Sequence, residues 1–121
     1  SIITSKKVKI WFWDTVREYT GEAVALTSKD LTALLKIGTG SITTMIPSKA
    51  IMDGLVKHLT GRVAEFKITG QGQEVMLKGT ITEIQKDFEN PRRLLLIATF
   101  QTTSEKNGLI LNKLGSGLPT P

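Results

Sequence analysis

The chain has 121 residues, the length of one domain, and at that size it can hide roughly 65% of its unfolded surface. Its composition, 40% hydrophobic and 22% charged, is that of a globular protein and argues against disorder along the whole length. Lys and Arg total 16 against 11 Asp and Glu, so the formal charge of +5 suits anionic partners, and zero cysteines exclude disulfides, thiolate metal sites and cysteine nucleophiles.

Val8, Ile10 and Phe12 alternate with Lys7, Lys9, Trp11 and Trp13. Period two predicts a strand with one aliphatic face and one face of Lys and Trp. Asp14 to Thr20 is polar and Gly21 follows, which predicts a turn there. Glu22 to Ser28 reads as a second strand, and Thr27-Ser28-Lys29-Asp30 as a polar break. Leu31 to Ile37 resumes the strand pattern, with Ala33, Leu35 and Ile37 on one side, until Gly38-Thr39-Gly40. Ser41 to Ile46 fits a further short strand. From Ser48, a candidate N-cap, the period becomes helical: Ile51, Met52, Leu55, Val56 and Leu59 share a face. Gly54 weakens that helix by about 1 kcal/mol relative to Ala, and Gly61 is a natural stop.

Ala64, Phe66 and Ile68 then alternate with Val63, Glu65 and Lys67, which predicts a strand from Arg62 to Thr69. Gly70-Gln71-Gly72 is a tight turn, and Gln73 to Ile84 the return strand with Val75, Leu77, Gly79 and Ile81 on one face. Its phase slips before Ile84, which predicts a bulge near Thr82 and Glu83. Lys86 to Arg93 is a polar loop. Leu94 to Thr102 is apolar on both faces, as in a central or covered strand. Ser104 caps a final helix through Leu109, Ile110 and Leu114. No repeat is visible in the sequence. The expected fold is mainly β: an antiparallel barrel of six to seven strands, meander or Greek-key, with one or two short helices. Residues 1–114 are expected to form this single domain, and residues 115–121 a mobile C-terminal tail.

The chemistry of catalysis is sparse. Gly38-Thr39-Gly40 lacks the Lys-Ser/Thr ending of a phosphate loop. His58 is the one histidine, has no nucleophile near it in sequence, and fits the end of a helix, where the dipole favours a cation. The acids show no metal-ligand spacing. The expectation is a non-enzyme with no cofactor and no metal. No apolar run reaches the ~20 residues needed to span a bilayer, and the lack of cysteine fits a cytoplasmic location.

Binding residues are easier to name. Trp11 and Trp13, at i and i+2, point the same way beside Lys9. Such a face can stack nucleic-acid bases, form a protein interface, or pack under the terminal helix. Lys6-Lys7, Arg17 and Arg92-Arg93 are the other cationic points.

The order of elements resembles the PilZ domain, a small bacterial β-barrel. The segments "RVAEFKI", "EVMLKGTITEI" and "RRLLLIATF" look like its consecutive barrel strands, and "GEAVALTSKDLTALLKI" like its strand, turn and strand around a ligand motif. The resemblance implies a non-catalytic regulatory or adaptor domain with cyclic di-GMP as ligand and a protein as partner. It places Lys6, Lys7, Arg17 and Ser28 around the dinucleotide. The family's Asp/Asn-x-Ser-x-x-Gly pattern, laid on Leu26 to Leu31, is met at Ser28 alone, and its Arg-x-x-x-Arg pair is absent. Lys6 and Lys7 supply charge without the guanidinium fork that grips phosphate and stacks on guanine. Two other readings stay open: an OB-type nucleic-acid-binding barrel with Lys9, Trp11 and Trp13 as its stacking surface, and a structural protein-interaction module.

Overall fold

The computed structural model describes residues 7–15, 17–36, 49–87, 89–90, 93–101 and 103–118. Six strands run β1 (Lys9–Trp13), β2 (Glu18–Leu26), β3 (Asp30–Lys36), β4 (Val63–Gly70), β5 (Gln73–Lys86) and β6 (Arg93–Phe100). Helix α1 (Lys49–Leu59) precedes β4, and α2 (Glu105–Ser116) follows β6. The strands close into an antiparallel barrel in the order β1-β2-β3-β6-β5-β4, with β4 pairing back onto β1. The neighbours β4-β1-β2-β3 form a Greek key.

The period-two pattern decides which side chains fill the barrel. Ile10 and Phe12 of β1, Leu31, Ala33 and Leu35 of β3, Phe66 and Ile68 of β4, and Leu94, Leu96 and Ala98 of β6 are fully buried. Phe12 stacks on Tyr19, meets Phe66 at 5.1 Å between ring centres, and Phe66 meets Phe100 edge-on at 6.1 Å. The helices sit against the two ends of the barrel. Met52, Leu55 and Leu59 of α1 are buried at the end where β1 finishes, and Leu111 and Leu114 of α2 at the end where it starts. Ser104 is the N-cap of α2 and accepts a hydrogen bond from the Asn107 amide at 3.2 Å. Gly61 has φ +83°, which suits its place just beyond α1. Gln71 and Gly72 both have positive φ, as a two-residue hairpin turn requires.

The turn predicted over Asp14 to Thr20 is met at its start, where Asp14 and Arg17 are hydrogen-bonded, but Glu18 to Gly21 is strand. Gly21 lies inside β2, where a Cβ would stand 2.3 Å from the Leu34 carbonyl oxygen. The glycine serves a close approach of two strands, and the reversal occurs before Glu18. Gly115 and Ser116, expected in the tail, are the last two residues of α2. A Cβ on Gly115 would meet the Leu26 backbone, so this residue is packed into the domain. The predicted strand Ser41 to Ile46, the Ser48 cap and Thr102 lie outside the described residues. The predicted bulge is present: the β5–β6 register shifts between Ile81 and Glu83.

A second bulge, between Ala23 and Ala25 of β2, reveals an order that the sequence hides. The paired positions of β1-β2-β3 correspond to those of β4-β5-β6, and each triplet is followed by a helix. Phe12 pairs with Tyr19 as Phe66 pairs with Leu77. Gly21 pairs with Leu35 as Gly79 pairs with Phe100. Ala23 pairs with Ala33, and Leu26 with Leu31, as Ile81 pairs with Ala98 and Ile84 with Leu96. Phe12 faces Phe66 itself, and β3 and β6 exchange Leu31–Ala98 for Ala33–Leu96. A pseudo-twofold axis therefore enters the barrel between Phe12 and Phe66 and leaves between β3 and β6.

Two glycine substitutions separate conformational freedom from packing. Gly54→Ala, with nothing within 4 Å of the new Cβ, is expected to stabilise the domain by about 0.5–1 kcal/mol. Gly21→Ala must push two paired backbones apart and is expected to destabilise it by about 2 kcal/mol or more. Urea unfolding of both variants measures the difference.

Candidate binding site on the outer face of strand β1

With Ile10 and Phe12 turned into the barrel, Lys9, Trp11 and Trp13 must face outward. Across the sheet, Trp11 is opposite Thr20 on one side and Lys67 on the other. The Lys67 ammonium lies over the Trp11 ring, 4.8 Å from its centre, and within 3.8 Å of Glu74. That cation lies on the face of the half-buried indole, an attraction of charge to the ring. Trp13 lies between Glu18 and Glu65 and is 36% exposed, much for so large an apolar ring. Met76 and Val63 extend the apolar surface, each 53% exposed.

Two shallow grooves flank the tryptophans. One, about 460 Å3, is lined by Trp13, Arg62, Val63, Glu65 and Lys78. The other, about 260 Å3, is lined by Lys9, Trp11, Thr20, Glu22 and Lys36. Lys9 and Lys78 make no ion pair among the described residues. Aromatic rings, a flexible methionine and unpaired cations on one sheet face make a surface that can grip another molecule.

One polar cluster fixes the end of this face. The Asp14 carboxylate, 2% exposed, accepts the Tyr19 hydroxyl at 2.9 Å and the Arg17 amide at 2.7 Å. It also meets His58 Nε2 at 3.0 Å. Arg62 donates to the His58 carbonyl at 3.3 Å and stands 3.4 Å from Nδ1. A guanidinium has only protons to give, so Nδ1 accepts and His58 Nε2 donates to Asp14. The cluster ties α1 to the β1–β2 turn. Lys86 of β5 and Asp53 of α1 form a second tie, and the ammonium holds that carboxyl below its ordinary value. Sequence reading placed His58 at a helix end, which is correct, and missed its partner. Asp14 is 44 residues away along the chain.

The residues expected around a dinucleotide do not share one pocket. Lys6 lies outside the described residues. Lys7 is near Glu22 at 3.9 Å, where β1 begins. Ser28 stands in the β2–β3 turn at that same end, and its amide donates to Asn112 of α2 at 2.9 Å. Arg17 is at the opposite end, beside Asp14. Of the two binding groups named from sequence, only Lys9, Trp11 and Trp13 form one continuous surface. Among the described residues no group of three or more His, Asp or Glu could hold a metal ion, and no helix is long and apolar enough to cross a membrane. Comparison with protein-family models and with curated proteins finds no match.

The cluster gives a pH signature. Burial first, and then the Asp14 carboxylate, push the Tyr19 hydroxyl from its ordinary 10 up to about 12. The folded state thus keeps a proton that the unfolded state loses first. The stability this contributes is complete below pH 10 and is lost between about pH 10 and about pH 12. Denaturation of wild type and Tyr19→Phe across that window is expected to show the extra alkaline loss in wild type alone.

Proposed function

We propose that this chain is a non-catalytic regulatory or adaptor domain of the PilZ-like kind, cytoplasmic and bacterial, that docks a protein through the outer face of β1. The observation that carries this reading is the outward pair Trp11 and Trp13, the first half-buried under Lys67 and the second exposed, on a closed barrel whose core is already filled by Phe12, Tyr19, Phe66 and Phe100. Rings that the core does not need, framed by charges of both signs at Lys9, Glu18, Glu65, Lys67 and Lys78, suit a protein surface.

Two observations argue against a dinucleotide receptor. The Ser28 amide is taken by Asn112, and Arg17 stands at the far end of the barrel. Nucleic acid is a weaker candidate for the Trp face, because Glu18, Glu22, Glu65 and Glu74 lie among its lysines and would repel a phosphate backbone. The six-stranded closed barrel also differs from the five-stranded OB-fold.

Calorimetric titration with cyclic di-GMP at low and moderate salt is the first test, with tryptophan fluorescence against a single-stranded oligonucleotide beside it. Neither ligand is expected to give a saturable signal, while a photo-reactive residue in place of Trp13 is expected to form a protein adduct that Trp11→Ala suppresses. Saturable heat with micromolar cyclic di-GMP would make the domain a receptor. Salt-sensitive quenching by the oligonucleotide would make it a nucleic-acid binder.

A further inference from the structure

On the side of the barrel away from the tryptophans, β3 and β6 pair through four outward rows. These are Asp30–Thr99, Thr32–Ile97, Leu34–Leu95 and Lys36–Arg93. Ala25 and Glu83 flank the second row, and Glu22 and Gln85 the third. Leu34, Leu95 and Ile97 are partly exposed and stand apart from the core cluster. The main helix contacts lie elsewhere: α1 lies against β5, and α2 against β2 and β5. This explains the strand that reads as apolar on both faces. Its inner face fills the barrel and its outer face is an apolar strip with opposite charges at its two ends.

We propose that this strip is a self-association surface whose partner is the same strip of a second copy of the chain. The charges select the arrangement. With a twofold axis lying in the interface across the strands, Asp30 of each copy stands over Lys36 of the other. The Leu34–Leu95 row then lies over the Thr32–Ile97 row. Glu83 meets Gln85 and Glu22 meets Ala25, so no like charges oppose. A twofold axis along the strands would set Lys36 of each copy over Arg93 of the other and repel. Asp30, Lys36 and Arg93 have no ion-pair partner among the described residues, so they are available for this role. Four rows on four strands cover roughly 300–400 Å2, about half of what one partner gives to a standard stable interface. The dimer is therefore weak, in concentration-dependent exchange with the monomer. The Trp11 and Trp13 rings stay free in it, while Glu22 and Lys36, which also line the groove beside Trp11, are covered.

Sedimentation equilibrium of the full chain, from about 10 µM to about 1 mM, tests this. The mass is expected to rise from the monomer's 13.3 kDa towards twice that value. Asp30→Lys is expected to raise the concentration needed at least about tenfold, and Asp30→Lys with Lys36→Asp to restore association to within about threefold of wild type. Both positions are exposed, and circular dichroism verifies the fold. Trp13→Ser is expected to leave the dimer intact. A constant monomer mass at every concentration overturns the proposal. So does a dimer that Asp30→Lys leaves unchanged, or that the double variant fails to restore.

Discussion

Phe12 and Phe66 stand directly opposite each other where β1 pairs with β4, and that seam turns two three-stranded meanders into one closed sheet. Without it each meander would show an open edge of unpaired amides and carbonyls. The same seam sets the direction of every side chain on β1. Once Phe12 is drawn inward beside Phe66 and Tyr19, its neighbours Trp11 and Trp13 have only the outside left. A shift of one residue would bury the tryptophans and expose Ile10 and Phe12.

The pseudo-twofold axis through that seam accounts for the rest of the architecture. Each half supplies a meander with a glycine and a bulge in its middle strand, Gly21 then Val24 in β2, Gly79 then Thr82 in β5. These bend the sheet enough to close it. Each half then supplies a helix for one end. The interior is complete with these pieces, and the two faces crossed by the axis are left for other work. One carries tryptophans among mixed charges, and the other an apolar strip with opposite charges at its ends.

Much of this was legible in the chain. Alternation in β1, β3 and β4 gave their inward residues, β6 read as apolar on both faces, and the phase slip near Thr82 gave the bulge. The Ser104 cap and the Gln71-Gly72 turn were equally plain, because local hydrogen bonding and φ decide them. Gly21 misled, since a glycine demanded by a carbonyl on the next strand looks the same in sequence as one demanded by a turn. The twofold order was invisible because the β1–β2 hairpin is four residues shorter than its counterpart, which breaks any fixed period. For the site, the period of β1 was enough to put Lys9, Trp11 and Trp13 on one face, but not to say which face was outside. Asp14 with His58 was beyond reach, because nothing local links a turn residue to a helix end 44 positions on.

The division of β1 between core and surface can be measured directly by equilibrium unfolding of Trp13→Ser against wild type. If the ring lies on the outer face, free for a partner, the substitution changes stability by no more than about 1 kcal/mol. A loss of about 3 kcal/mol or more would mean that Trp13 is a core residue, and that the face assigned to docking belongs to the interior.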